Sequence, residues 1–580
     1  MLLLGVDAIL LLYITSGCGI CMLYILRKIF KQPVDANMLG TILAGLIFST
    51  VYFNLVSFLF RINYFSLIPL AGLSSLMHFK TSLGKSFSGL LQKQLQFVFA
   101  LRNLPVTVPV IIMLLYNWLL PPVSADGPGY HYSTILWFER YRVVPGLANV
   151  DGRLAYNAAA FIIQAPYAFT SLAGQSLYPL NAVLTCLFFL WMVKRILRSK
   201  GMFAGVVYFG LLCILNRVLL YNIASPAADT LVIICIAYSF IKLFDGLVIR
   251  NVTMPLALLP IIIVLYAVTA KLSAYPALLL VPFVLWHAKE KQKAFQLVAK
   301  LFFVSLFIYV PWLCRNVILS GYLFYPVPFI DIFNVDWKAP KSVLMLDYTF
   351  IKRLPINFDE SLIAVKPPPF PQWVGPWLTK QFNERSRIDV VIFIVAIISP
   401  VYWLIALVKK IRPPLAVFFL WAIIYACVWL WLINVPEYRF GMVFLSFAIL
   451  LPILYITTQG GKTYNALRFI PAILLIVSGV YYICTAPGKR NVHDFSLQHF
   501  LAYPLKDVQY YSKNNMNDFS YALLNSGVKL YQQDSTHLCI NADLPCMVWK
   551  YGTIEMRGNE LQDGFRNVQD DVNKNYPFIK

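Results

Sequence analysis

The sequence predicts an α-helical polytopic membrane protein, and three observations carry that prediction. Apolar runs of about 18 residues or more, the length a helix needs to cross a hydrocarbon core, recur from end to end. Only 13% of the 580 residues are charged and 59% are hydrophobic, whereas soluble domains carry roughly a quarter charged residues. Basic residues collect in alternate connections between the runs, the bias that marks cytoplasmic loops. Lipid offers the backbone no hydrogen-bond partner, so each run must be helical.

The runs predict about 14 crossings, at roughly 2–26, 37–60, 64–78, 104–120, 177–197, 202–220, 226–243, 253–269, 273–287, 300–318, 388–408, 413–434, 440–457 and 469–486. The stretch 157–173 is also apolar, but Gln164 and Pro166 interrupt it. It reads as a re-entrant or interfacial segment of the first large external loop. With the N-terminus outside, the inner connections hold 22 basic residues against three acidic ones, Asp35, Asp245 and Glu290. The opposite orientation would reverse the bias. The first run, Leu2 to Leu26, has no basic leader and no small-residue cleavage site, and reads as a retained helix. Topology then accounts for the net charge of +22, which leaves no reason to invoke nucleic acid.

Three polar segments face outward in this arrangement: 121–156, 319–387 and the tail 487–580. Residues 1–486 form a membrane domain, and 487–580 are long enough for a small mixed α/β extracytoplasmic domain. Both termini are expected outside. Eight of the ten cysteines lie in or beside apolar runs. The other two, Cys539 and Cys546, stand in the polar tail and would form a disulfide in an oxidising compartment. The Pro-rich run Lys366 to Pro371 reads as an extended polyproline strut.

The residues that suit chemistry sit at the outer ends of the runs. Asp126 lies in Ala125-Asp126-Gly127-Pro128-Gly129-Tyr130-His131-Tyr132, after Pro121-Pro122 has closed the preceding helix. A carboxylate at the membrane surface beside His131 has the makings of a general base or a metal ligand. The same Asp126 equally suits a helix cap or a turn. Tyr132 to Glu139 have an apolar face and are expected to lie along the interface. External cations run against the positive-inside bias. Among them, Arg315 in Pro311-Trp312-Leu313-Cys314-Arg315-Asn316 and Arg439 in Pro436-Glu437-Tyr438-Arg439-Phe440 end or begin a crossing. Arginine pairs with phosphate through two parallel hydrogen bonds. Arg153 and Lys271 are further external cations, and Lys271 lies between two apolar runs, where a charge must face a cavity or the interface. The chain has no Gly-x-x-x-x-Gly-Lys-Ser/Thr loop and no His-Glu-x-x-His motif, so an ATP-driven pump and a zinc protease are excluded.

Together these features resemble the C-type glycosyltransferase superfamily, multi-helix membrane enzymes that take a sugar from a polyprenyl-phosphate carrier. Members of that superfamily place an essential acid in the first large external loop, followed by a helix along the membrane. Asp126 and the helix from Tyr130 to Tyr141 match that arrangement, and Arg439 matches the late-helix arginine that meets the carrier phosphate. More closely, the chain is similar to an uncharacterised bacterial polytopic membrane protein family related to that superfamily. The matching segments are Tyr130-His131 with Trp137, Val144-Pro145-Gly146-Leu147 with Asn149, Arg153 and Asn157, Pro311-Trp312 with Arg315-Asn316 and Tyr325-Pro326, Arg439-Phe440, and Leu544-Pro545-Cys546 with Cys539 in the tail.

The resemblance implies an inverting sugar transfer at the outer face of a bacterial inner membrane. The partners would be a polyprenyl-phosphate-linked sugar, the bilayer and a glycan or other acceptor. Asp126 would serve as base, assisted by His131 and Tyr130, and Arg153, Lys271, Arg315 and Arg439 would meet substrate and phosphate. A single acid stands where a metal-dependent site would carry Asp-x-Asp or Glu-x-Asp, so a divalent metal is left open and no other cofactor is expected. External arginines also suit a polymerase or ligase of lipid-linked glycans. A transporter or flippase of a lipid-linked saccharide is the third reading.

Overall fold

A computed structural model gives the fold and describes residues 2–34, 36–119, 122, 124, 126–199, 202–249, 254–287, 294–357, 368–408, 413–459, 470, 472–478, 519–533, 539, 543–547 and 552–571. The chain opens with a long helical hairpin, α1 (Leu2–Phe30) and α2 (Met38–Ser57). Its two helices approach closely because glycine lies between them. A Cβ at Gly45 would stand 1.7 Å from the Thr15 carbonyl oxygen, a contact only a small residue allows. α3 (Leu67–Lys80) packs on α1. α4 (Ser82–Phe99) turns through 102° into α5 (Leu104–Leu119). Lys85 and Lys93 beside exposed Leu91, Leu95 and Phe99 suit α4 to an interface.

A loop of short elements follows: α6 (Tyr132–Arg140), α7 (Ala159–Gln164) and α8 (Thr170–Ala173). Then come α9 (Pro179–Arg198), α10 (Met202–Tyr221), α11 (Asp229–Ile249) and α12 (Met254–Ala270). A 3₁₀ stretch, Leu272–Leu279, leads into α13 (Leu280–His287), and α14 (Ala294–Ser320) follows. A second loop holds α15 (Lys341–Asn357) and α16 (Val374–Lys380). The last helices are α17 (Arg387–Ile398), α18 (Pro400–Val408), α19 (Leu415–Asn434) and α20 (Tyr438–Gln459).

Among the described residues, eight helices are long and apolar enough to cross a membrane, α1, α2, α9, α10, α11, α14, α19 and α20, or up to ten if each bent pair is one span. The protein is therefore a mostly helical, multi-pass membrane protein. The count is lower than 14 because an apolar run need not be one straight helix. The run 64–78 is a 3₁₀ turn followed by 14-residue α3. The run 104–120 is one arm of the bent α4–α5 pair, and 388–408 bends by 48° between α17 and α18. The run 273–287 divides into a 3₁₀ stretch and eight-residue α13. Most of 469–486 lies outside the described residues, as do Lys366 and Pro367. Pro369 to Val374 form turns rather than an extended strut, with Gln372 and Val374 donating to the Pro369 and Pro371 carbonyls. The segment 157–173 is broken into short pieces, Ala159–Tyr167 buried and Thr170–Ala173 not, and none is long enough to cross.

In the tail the described residues form strands. β1 (Phe519–Leu523) and β2 (Lys529–Gln533) are an antiparallel hairpin, and β3 (Cys546–Met547) lies parallel to β2. β4 (Gly552–Met556) pairs antiparallel with β5 (Phe565–Asp570). A disulfide joins Cys539 to Cys546. The sheets sit on the two loops. The Phe565 amide donates to the Pro145 carbonyl at 2.9 Å, and Asn149 donates to the Phe565 carbonyl. Arg557 pairs with Asp336 at 2.7 Å and lies over the Trp337 ring. Gly564 takes φ +94°, where a Cβ would meet the Pro145 carbonyl oxygen at 2.3 Å, so the tail can reach the loop only with glycine at that position.

A candidate anion site at the loop face of the bundle

Four chain segments bring charge to one face. The first is Asp126, which precedes a π-type turn at Gly127–His131 that runs straight into α6. Asp126 makes no capping bond there. Its carboxylate instead meets the Arg439 guanidinium at 2.5 Å. Arg439 lies in the first turn of α20, where the helix dipole disfavours a cation, so it needs anions around it. Three carboxylates answer: Asp126, Asp229 at 3.7 Å and Glu437 at 3.9 Å. Asp229 begins α11 and has a cation of its own in Lys271, at 2.6 Å. Lys271 lies 3.8 Å above the Phe440 ring, and the Arg439 guanidinium carbon is 5.1 Å from the same ring.

The helical hairpin explains this meeting. α11 leaves the loop face and α12 returns to it, so the start of one and the end of the other are neighbours although Asp229 and Lys271 are 42 residues apart. Burial raises the cost of charge on Asp126. Arg439 outweighs it and holds the carboxyl well below its usual range. Burial also lowers Lys271, while Asp229 pulls it back up.

Beside Asp126, His131 is buried against Phe161 with ring centroids 4.8 Å apart, and its Nδ1 has no hydrogen-bond partner among the described residues. Burial brings its pKa down to about 4 against the pull of Asp126, so the imidazole is neutral at pH 7. Tyr130 packs edge-on against Tyr156 and lies under the Arg153 guanidinium, 5.5 Å from the ring centre. Burial and the Asp126 charge raise its phenol. Arg153 forms a two-pronged pair with Asp151, at 3.1 and 2.8 Å. Asp347, from α15, receives a hydrogen bond from Tyr325 at 2.7 Å. Burial pushes it up to about 7, with the Tyr325 bond opposing and Asp151 adding to the rise.

The structure thus brings Asp126, Tyr130, His131, Arg153, Lys271 and Arg439 into one neighbourhood. Arg315 does not share it. It is 1% exposed, stacks 4.2 Å from the Phe138 ring and donates from Nε to Asn157. Its guanidinium has no solvent-open face and braces α14 against the loop, with Nη2 left without a hydrogen-bond partner among the described residues. α6 departs from the helix expected along the interface. Six of its nine residues are buried, because the tail and α7 cover the face expected to lie on lipid. Asp229 and Asp347 were not singled out from the sequence, whereas Tyr325, in Tyr325-Pro326, is among the segments that carry the family resemblance. Asp229 carried one usable signal, an acid at the outer end of one run opposite Lys271 at the outer end of the next. Asp347 carried none.

The donor set does not fit a divalent cation. Asp126 and Asp229 both face basic side chains, and among the described residues no three His, Cys, Asp or Glu gather to hold a metal.

Fold and site together define a multi-pass helical membrane protein with a shared ion-pair cluster where its loops meet the bundle. Residues 1–446 match the family described as a domain of unknown function, DUF8201, and the chain belongs to that family. No curated protein and no solved structure matches it.

Proposed function

We propose that the protein is an inverting membrane glycosyltransferase that moves a sugar from a polyprenyl-phosphate donor to an extracytoplasmic acceptor. The observation that carries this reading is the cluster of Asp126, Arg439, Asp229 and Lys271 at the loop face. It puts a carboxylate beside two cations at the open end of a bundle, the pairing that proton removal and a phosphate leaving group require. The resemblance to C-type glycosyltransferases supports the same roles for Asp126 and Arg439.

In the reaction, Asp126 accepts the proton of the acceptor hydroxyl as its oxygen bonds to the anomeric carbon. The bond from that carbon to the phosphate oxygen breaks, and the electron pair leaves with the phosphate. Arg439 and Lys271 neutralise the developing charge, the electrostatic term that dominates such transfers. Lys271 replaces Arg315 as the second cation. Neutral His131, Tyr130 and Arg153 shape the acceptor side.

We place the chain in a bacterial inner membrane with the loop face, both termini and residues 487–580 outside, and with about 14 crossings once short and bent helices are counted. The basic residues of the alternate connections support that orientation. The test is a head-group analysis of purified protein with polyprenyl-phosphate sugars, comparing wild type with Asp126→Asn. Polyprenyl phosphate released by wild type and not by the variant supports the reading. Full transfer by the variant overturns the role of Asp126, and loss on Arg439 substitution alone favours the polymerase or ligase.

A further inference from the structure

The ion pair that marks the site also blocks it, since the proposed base and the proposed phosphate ligand are bound to each other. We propose that Asp126 masks Arg439 in the resting protein, and that a phosphate monoester or diester takes its place on the guanidinium and frees the carboxylate. The inference rests on the proposed function for the source of the phosphate.

Four observations support the exchange. Arg439 meets Asp126 through Nη1 alone, although a guanidinium binds a carboxylate or phosphate best through two parallel bonds. Its Nε makes no hydrogen bond and stands 3.9 Å from a Glu437 carboxylate oxygen, so the guanidinium is held by single, unpaired contacts. Asp229 is already held by Lys271 at 2.6 Å, so its charge does not depend on Arg439. The Asp126 and Arg439 side chains are 35% and 36% exposed, whereas Asp229 is 5% exposed, so the contact that would break is the open one. The anion would also sit at the start of 22-residue α20, where the helix dipole attracts negative charge, with Lys271 sharing the load.

This exchange predicts an unusual sign. Asp126→Asn, inactive in transfer, binds phosphate more tightly than wild type, because the internal competitor has gone. The experiment is a binding titration in detergent micelles with polyprenyl phosphate, polyprenol and inorganic phosphate. The expected gain for polyprenyl phosphate is about tenfold, the scale of one close charge pair. Asp126→Glu, which keeps the competitor, stays near wild type, and Arg439→Gln loses binding. If Asp126→Asn does not fold, Asp126→Ser removes the same charge.

A gain for polyprenyl phosphate alone identifies a lipid headgroup, and an equal gain for inorganic phosphate identifies a soluble anion. Either supports the exchange. Unchanged or weaker binding in the uncharged variants overturns it. A gain in affinity with no transfer by wild type would keep the exchange and overturn the glycosyltransferase. Transfer by wild type with no gain would do the reverse.

Discussion

Helix α11 carries an ion pair near each end, and the two are built differently. Near its C-terminus, Asp245 takes both prongs of Arg195 at 2.8 and 2.5 Å, while Tyr208 and the Trp191 ring cover the guanidinium. One cation meets one anion through two parallel bonds, and the Arg195 Nε alone is left without a partner. At the N-terminus, Asp229 pairs with Lys271 and shares Arg439 with Asp126 and Glu437. There two cations serve three carboxylates through single contacts. A closed pair stabilises the bundle, whereas a shared and partly open one can change partners.

Substitutions should separate the two ends. The largest effect is expected at the shared end. Asp126→Asn cuts sugar transfer by a factor on the order of 10² to 10⁴, the worth of a positioned base, and leaves thermal unfolding in detergent nearly unchanged. Arg439 keeps Asp229 and Glu437, and half-exposed pairs contribute about 1 kcal/mol or less. If Asp126→Asn unfolds the protein, the cluster is structural and the contrast fails.

Asp245→Ala should do the opposite. It strands Arg195 and destabilises the bundle by roughly 3 kcal/mol, so activity falls only with the folded fraction. A lower turnover per folded molecule would show that this end also takes part in the chemistry.

Asp347 sharpens the comparison through pH. Its folded pKa of about 7 lies above the ordinary 3.8, so the folded protein holds a proton that the unfolded chain has released. That contribution is complete below pH 4 and is lost as pH rises through 7. Stability should therefore fall by roughly 2 kcal/mol between pH 5 and 7. Asp347→Asn should flatten this slope, and an unaltered slope would assign it to another group. The smallest effect is expected at the tail. Arg557→Ala removes an exposed pair with Asp336 and costs less than about 1 kcal/mol, visible as faster proteolysis after residue 486 with little change in unfolding temperature.

Much of the membrane architecture was legible in the sequence, because lipid imposes one requirement that composition records directly. α1, α2, α9 to α11, α14, α19 and α20 appear as apolar runs. The α17–α18 bend did not, since it falls at Ser399 inside one apolar run, whereas the α4–α5 break coincides with Arg102-Asn103, just before the run that starts at 104. At the site, Asp126 and Arg439 could be named because each stands at the end of a run. Their pairing, 313 residues apart in the chain, could not. Arg315 shows the converse, since its place at the end of a run resembles that of Arg439 and its burial under Phe138 depends wholly on packing. Asp347 lies in a polar loop where acids are ordinary, so only Gly152 and Tyr325 pressing on it in three dimensions set it apart.

The docking of β5 on the first loop bears on the order in which the protein is made. Asn149 and Phe565 lie 416 residues apart, so nearly the whole bundle must be inserted before the strand that covers Trp137 and Pro145 exists. Until β5 is made, the segment between α5 and α9 lacks that cover. A strand made late thus completes the wall beside the first large loop, and a ribosome that stalls after α20 would release a bundle whose Trp137 and Pro145 lack that cover.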